Sequence, residues 1–372
     1  MKEIYLDNSA TTKVDPIVVK VMRNVLIENY GNPSSLHSLG EKSRKAIDES
    51  RKNLSKEIGA KPQEIIFTSG GTESNNLVIQ GLAKANPKKK KIIISSIEHP
   101  SITETCKFMK SEGYEIVEVP VNREGILNIE KLENSIDKNT LLVSIIHVNN
   151  VFGTIQNLKN IGKICKMKKV YFHTDAIQSF GKLKINIKDM NIDLLSASGH
   201  KIGGPKGTGF LYLKEGVKIK PLIFGGGQEK NIRSGTENVS GIVGFSKALD
   251  LEKTKNSLKI SKLQKNLIDE LEKLGGKING SKEKRICNNV HVSFKEINSE
   301  RLIYFLSERK IYASIGSACD RKKRNEDNLL KNIGMNKKEI NGSIRFTLNK
   351  GTTEKDIRKV IEGVRRFLKF SK

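Results

Sequence analysis

The chain has no tryptophan, and only 5% of its residues are aromatic. No aromatic-rich stripe therefore accompanies its basic residues, so a surface built to stack bases is not expected. Acidic residues are the scarcer charge, 41 against 67 Lys and Arg, a formal net charge of +26. The basic residues are scattered, with short runs at 88–91 and 321–324. Such a balance reads as a lysine-rich surface spread over the molecule, since net charge governs solubility and nonspecific binding rather than fold. A basic nucleic-acid-binding protein is the rival reading. Cysteine is also sparse. Cys106, Cys165, Cys287 and Cys319 stand far apart, which excludes zinc-ligand and redox-pair spacing. Residues 1–7 have no apolar signal core, and no run approaches a membrane span. A soluble cytoplasmic protein with reduced thiols is expected. No internal repeat is evident, and low complexity is confined to the short lysine runs.

What is present suits one large domain and one smaller one, since 372 residues can bury a sizeable core without disulfides or metals. From residue 64 onward, short apolar runs alternate with amphipathic stretches. Strands are expected at 64–68, 91–96, 114–119, 141–148, 170–174, 193–198 and 210–213. The alternation predicts a largely parallel sheet covered on both faces. Residues 239–274 read as one long helix or two in series, broken by Gly275-Gly276. Beyond it, strand signals at 290–294 and 343–348 and helices at 300–308 and 355–368 indicate an α+β segment, with a boundary near residue 250.

Ligands of open parallel sheets sit beyond the carboxyl ends of the strands, and most candidate residues fall there. Ser69-Gly70-Gly71-Thr72-Glu73 joins a strand to a helix, either as an anion cradle or as a plain tight turn. Lys201 ends Ser196-Ala197-Ser198-Gly199-His200-Lys201, whose polar, glycine-containing loop sets it apart from a solvated surface lysine. Asp175 closes a strand, as a partner for a ring nitrogen or as a helix cap. His99, in Glu98-His99-Pro100, can stack on a flat ring and shuttle protons, or simply precede a helix at the surface. Cys319 lies among small residues in Gly316-Ser317-Ala318-Cys319, an arrangement that suits a mobile nucleophilic thiol. The other three cysteines look like packing residues. Arg345 sits within a strand pattern, where its fork suits a substrate carboxylate or a structural ion pair.

Together these residues resemble the NifS/IscS-type cysteine desulfurases of the class V aminotransferase superfamily. The similarity runs from Tyr5-Leu6-Asp7-Asn8-Ser9-Ala10-Thr11-Thr12 to Ser343-Ile344-Arg345-Phe346. Between them lie Gly31-Asn32-Pro33-Ser34-Ser35, His147-Val148-Asn149-Asn150 and Arg233-Ser234-Gly235-Thr236. The resemblance implies an α/β, PLP-dependent transferase fold of the aspartate aminotransferase type. Its mainly parallel large domain would cover residues 15–250 and a small α+β domain 251–372, with the segment 1–14 packing on the latter.

The resemblance also implies roles. Lys201 would bind pyridoxal 5'-phosphate covalently, with Asp175 at the pyridine nitrogen, Gln178 at the ring hydroxyl and His99 stacked on the ring. Gly71, Thr72, Ser198 and His200 would take the phosphate, joined by Thr236 from a second copy, which implies a homodimer. Asn150, near the cofactor, and Arg345 would hold the carboxylate of L-cysteine. Cys319 would take the sulfur as a persulfide and pass it to an acceptor, an iron–sulfur scaffold or a tRNA-thiolation enzyme. No resident metal is implied, although Cys319 could ligate an iron–sulfur cluster during transfer. Two features depart from the family pattern: Val151 where an acid is usual, and the charged stretch 320–325 after Cys319 where small residues are usual. A selenocysteine lyase or another class V aminotransferase is the alternative within the same chemistry.

Overall fold

A computed structural model of the chain describes residues 2–253, 257–315 and 324–370. Its first strand is β1 (Ile4–Tyr5). Next come β2 (Ile65–Thr68), β3 (Lys91–Ser95), β4 (Glu115–Val119) and β5 (Thr140–Ile146). They are followed by β6 (Tyr171–Asp175), β7 (Leu194–Ser198) and β8 (Gly209–Leu213). The last are β9 (Lys277–Ile278), β10 (Asn289–Ser293), β11 (Ile311–Tyr312) and β12 (Ser343–Thr347).

Strands β2 to β8 form one sheet in the order β2-β8-β7-β6-β5-β3-β4. Neighbours from β7 to β4 run parallel, whereas β8 is antiparallel to both β2 and β7. Successive side chains of β3 explain why its run is uniformly apolar. Ile93 joins the core on one face, while Ile92 and Ile94 join the core on the other. The order reverses between β3 and β5, so a crevice opens at the carboxyl ends of the central strands.

Residues 239–274 resolve into two helices, Val239–Lys253 and Ser257–Lys273. The first packs on the helices Pro16–Glu28 and Ser38–Ile58 and contributes Ile242, Phe245 and Leu249 to the large-sheet core. The second contributes Ile260, Leu263, Leu267 and Leu271 to a separate core around the antiparallel sheet β12-β10-β9. Ile4 and Leu6 belong to that second core, and β1 pairs with β11. On this partition of the cores we propose the division into 1–14, 15–250 and 251–372.

Candidate active site

The ends of five strands, β2, β3, β5, β6 and β7, meet an N-terminal strap. Residues 7–12 leave the small sheet, where Thr347 donates its amide to the Leu6 carbonyl, and pass beneath the turn after β7, where Thr12 donates to the His200 carbonyl. Lys201 ends that turn, Gly199–Lys201, and is only 9% exposed. Its Nζ donates to the carbonyls of Ser9 at 2.5 Å and Ala10 at 2.7 Å. Gln178 Nε2 also donates to the Ser9 carbonyl, at 3.0 Å. A cleft of about 110 Å³ opens above.

Asp175, the last residue of β6, is buried. Its Oδ1 accepts from the Ile177 amide at 3.0 Å, the local capping bond that a strand-end Asp makes. Its Oδ2 accepts from Asn75 Nδ2 at 2.9 Å. The same Asn75 nitrogen donates to Ser101 Oγ at 2.8 Å, and Ser101 Oγ lies 2.8 Å from His99 Nδ1. The Ser101 amide also donates to that Nδ1, at 3.1 Å, so the nitrogen must offer a lone pair and a neutral ring carries its proton on Nε2. His99 is held below its ordinary pKa, chiefly by burial and additionally by the Lys201 charge, while Asp175 opposes the shift. A neutral, oriented imidazole is thereby wired to the carboxylate through Asn75 and Ser101.

At one end of the cleft, Gly71 opens the helix Gly71–Asn76, preceded by Gly70 at φ +150°. A Cβ at Gly71 would lie 1.9 Å from Ile177 Cδ1 and 2.7 Å from its Cγ1, so any larger residue here would displace that side chain. Thr72, Ser198 and His200 line the same end. His200 Nδ1 is 3.1 Å from Thr11 Oγ1, and its pKa is driven down to about 3 by burial, assisted by Lys201, Lys206 and Lys182.

At the other end, Arg345 is fully buried in β12. One terminal nitrogen donates to the Asn150 carbonyl at 2.9 Å and the other to Asp7 Oδ1 at 2.8 Å. Arg345 thus makes a structural ion pair and also lines the cleft. Its Nε and the side-chain oxygen of Asn150 are buried without a hydrogen-bond partner among the described residues. Glu98 lies fully buried beside the site. One oxygen meets Ser95 Oγ and accepts from the Ile146 amide at 2.9 Å. Its pKa is pushed up to about 8, by burial first and with Asp175 adding to the rise.

The cleft therefore gathers Gly71, Thr72, His99, Asn150, Asp175, Gln178, Ser198, His200, Lys201 and Arg345. Thr236 does not line it; that residue lies exposed on the surface. Cys319 and most of the charged stretch after it fall outside the described residues. The flanks of that segment are described: Ser314 pairs with Arg345, and the helix Arg324–Asn332 follows. That helix packs Leu329 and Leu330 against Val151, Phe152, Ile97 and Ile146, so an apolar residue at 151 serves this contact. The motifs did not single out Ser9, Ala10, Asn75, Ser101, Ile146 and Ile177. Asn75, one helical turn beyond Gly71, carried the only periodic hint of its placement.

A mostly parallel sheet with lysine, aspartate, histidine and arginine converging beyond its strand ends defines a group-transfer enzyme of the α/β class. The aminotransferase class-V family matches residues 4–360, and the chain belongs to that family. It is 45% identical to the cysteine desulfurase IscS of Methanosarcina thermophila, over 98% of this chain and 91% of the relative. Among solved structures, a NifS-like protein superposes with a TM-score of 0.94 at 36% identity, covering 99% of this chain and all of the other. A second, SspA in complex with cysteine, gives 0.84 at 35% identity over 95% of this chain and all of that one.

Proposed function

We propose that this chain is a cysteine desulfurase that uses pyridoxal 5'-phosphate to convert L-cysteine to L-alanine, leaving a persulfide on Cys319. The carrying observation is the convergence of the Lys201 amine, the Asp175 carboxylate and the Arg345 guanidinium in one cleft, in a chain so similar to a named cysteine desulfurase.

The residues present fit the cofactor. Gly71 leaves space where any Cβ would strike Ile177, Lys201 offers an amine inside the cleft, and buried Asp175 offers a carboxylate facing it. When bound, the cofactor supplies an electron sink for the pair released at an amino acid's Cα. Lys201 would hold the cofactor through its amine and could carry a proton at Nζ during turnover. Asp175 would face the ring nitrogen and favour its protonated form, and Asn75 and Ile177 hold both carboxylate oxygens in place for this. His99 keeps Nδ1 engaged by Ser101 and lines the cleft, where its ring could stack on the cofactor. Gly71, Thr72, Ser198 and His200 receive the phosphate. Arg345 Nε, buried without a partner among the described residues, lies at the carboxylate end, where the guanidinium can give a charge-assisted bond and the Asn150 amide nitrogen can add a second donor. Cys319 Sγ, as thiolate, would bond to the substrate sulfur as the substrate's Cβ–S bond breaks, the bonding pair staying with Cβ and a proton completing the methyl of alanine; the outer sulfur of the persulfide would then pass to an acceptor protein.

The reading includes a homodimer, with Thr236 serving the site of a second copy. Large apolar side chains left exposed support this, Leu36 at 94% and Phe224 at 80% among them. Cytoplasmic location belongs to the same reading, since the buried Cys106 and Cys165 are free thiols. Among the described residues no helix is long and apolar enough to cross a membrane.

The test is an absorbance spectrum of the purified protein before and after L-cysteine, with alanine and sulfide assayed under reductant. Lys201→Ala should lose the bound-cofactor band and lower turnover by at least about 10³-fold. Cys319→Ala should keep the band and lose sulfide release. Full sulfide release by that variant would remove the thiol assignment and favour a selenocysteine lyase or an aminotransferase.

A further inference from the structure

The turn after β5 carries Asn150 and is held from two sides. From within the large domain, Asn149 Oδ1 accepts from the amides of Val151 at 2.9 Å and Phe152 at 3.1 Å. From the small domain, three consecutive carbonyls each receive a side-chain donor. Arg345 donates to Asn150 at 2.9 Å, Asn289 Nδ2 to Val151 at 3.0 Å and Arg285 to Phe152 at 2.7 Å. Gly153 completes the turn at φ +75°, so close to Asn289 that a Cβ would lie 2.6 Å from its Oδ1.

Arg285 is the hub of this clamp. It is buried; the nitrogen that meets Phe152 also donates to Asn289 Oδ1 at 3.1 Å, and the other two donate to the carbonyls of Ser281, at 2.9 Å, and Asn279. Every one of these acceptors is an uncharged oxygen. Burying a guanidinium among neutral acceptors is costly unless its donors are well used. Here the planar fork joins the segment 279–289 to the Phe152 carbonyl, a task that a single ammonium cannot reproduce. The backbone continues the link, with Ile155 donating to the Lys284 carbonyl at 2.8 Å and Ile286 to the Gly153 carbonyl at 3.0 Å.

We propose that Arg285 is a positioning residue for the amino-acid substrate: through the Phe152 carbonyl it locks the 150–152 turn so that the Asn150 side chain stays aimed at the substrate carboxylate. This rests on the reading that Asn150 and Arg345 hold that carboxylate. Arg345 donates to the Asn150 carbonyl, so the position of the turn also sets how the guanidinium is presented. The small domain thereby contributes to substrate recognition through backbone placement as well as through Arg345 itself.

The experiment is a double-mutant cycle in the cofactor-loaded enzyme, with steady-state KM and kcat for L-cysteine. Arg285→Lys should raise KM about tenfold while kcat stays within about threefold, with the cofactor absorbance retained. Asn150→Ala should raise KM as well. In its background Arg285→Lys should add less than about twofold, because both act on the same contact. A folded Arg285→Lys enzyme with unchanged KM overturns the proposal, as do effects that multiply in the double mutant. Asn150→Ala with unchanged KM overturns the carboxylate assignment, and the proposal with it. Should Arg285→Lys fail to fold, Asn289→Ser, which releases the Val151 carbonyl, takes its place in the same cycle with the same expected and overturning results.

Discussion

Buried titratable groups govern the response to pH at the scale of single residues. Glu98 has a folded pKa of about 8 against an ordinary 4.5, so folding favours its acid form. Its contribution to stability is fully present below about 4.5 and is lost as the pH rises through about 8. His147, at about 4, and His173 and His200, at about 3, are shifted the other way by burial. They favour the neutral form, so their contribution is present above 6.5 and is lost as the pH falls toward those values. Glu98→Gln should therefore lower the melting temperature less on going from pH about 6 to about 9 than the parent does, while keeping the acid-side fall. Parallel thermal melts across that range check it, and equal alkaline slopes in both proteins would contradict it. Glu98 was legible only as the neighbour of His99. Its burial against Ser95 and Ile146 depends on two strands that are distant in the chain.

The helix start at Gly71 shows how an element shapes the site. Ile177, two residues beyond Asp175, fills the space a Cβ would need, and both residues line the cleft. Gly71→Ala should push Ile177 toward the ligand and weaken cofactor binding about tenfold, in keeping with an overpacking cost of about 1–3 kcal/mol. Ile177→Ala in the same chain should restore most of the affinity. Titration of the apo-protein with pyridoxal 5'-phosphate reads both, and no rescue would mean that the helix start itself has moved. The large-sheet strands were legible because each apolar run feeds cores on both faces, as Ile92 and Ile93 do. The helix Pro16–Glu28 gives a weaker pattern. It buries Val18 and Val25 while leaving Ile17, Val19, Leu26 and Ile27 exposed.

Those exposed residues bear on the whole molecule. The loop holding Pro33 and Ser34 borders the same surface cleft as Glu229 and Lys230, and exposed Leu36 follows it. Phe224, Ile223 and Thr236 lie along the neighbouring segment. If this face is the proposed dimer contact, Leu36→Asp or Phe224→Asp should each weaken dimerisation at least about tenfold, since burying one large apolar side chain contributes about 1.5–3 kcal/mol. Sedimentation over a concentration series measures it, and a dimer of undiminished affinity in both variants would place the contact elsewhere. The net charge of +26 then acts mainly on solubility and long-range steering.

The sequence by itself determined the α/β class, where the strands of the large sheet fall along the chain and most of the residues that line the cleft. Strand and turn signals are local, and the site residues stand at strand ends where such sheets bind ligands. Tertiary structure decided what each residue works against. The strap 7–12 reaches Lys201 only because β1 pairs with β11 at the far end of the chain. Asn75 meets Asp175, and Arg285 meets Phe152, across separations that no local pattern encodes. Buried donors and acceptors must find partners wherever folding brings them, so these contacts appear only once the two cores are packed.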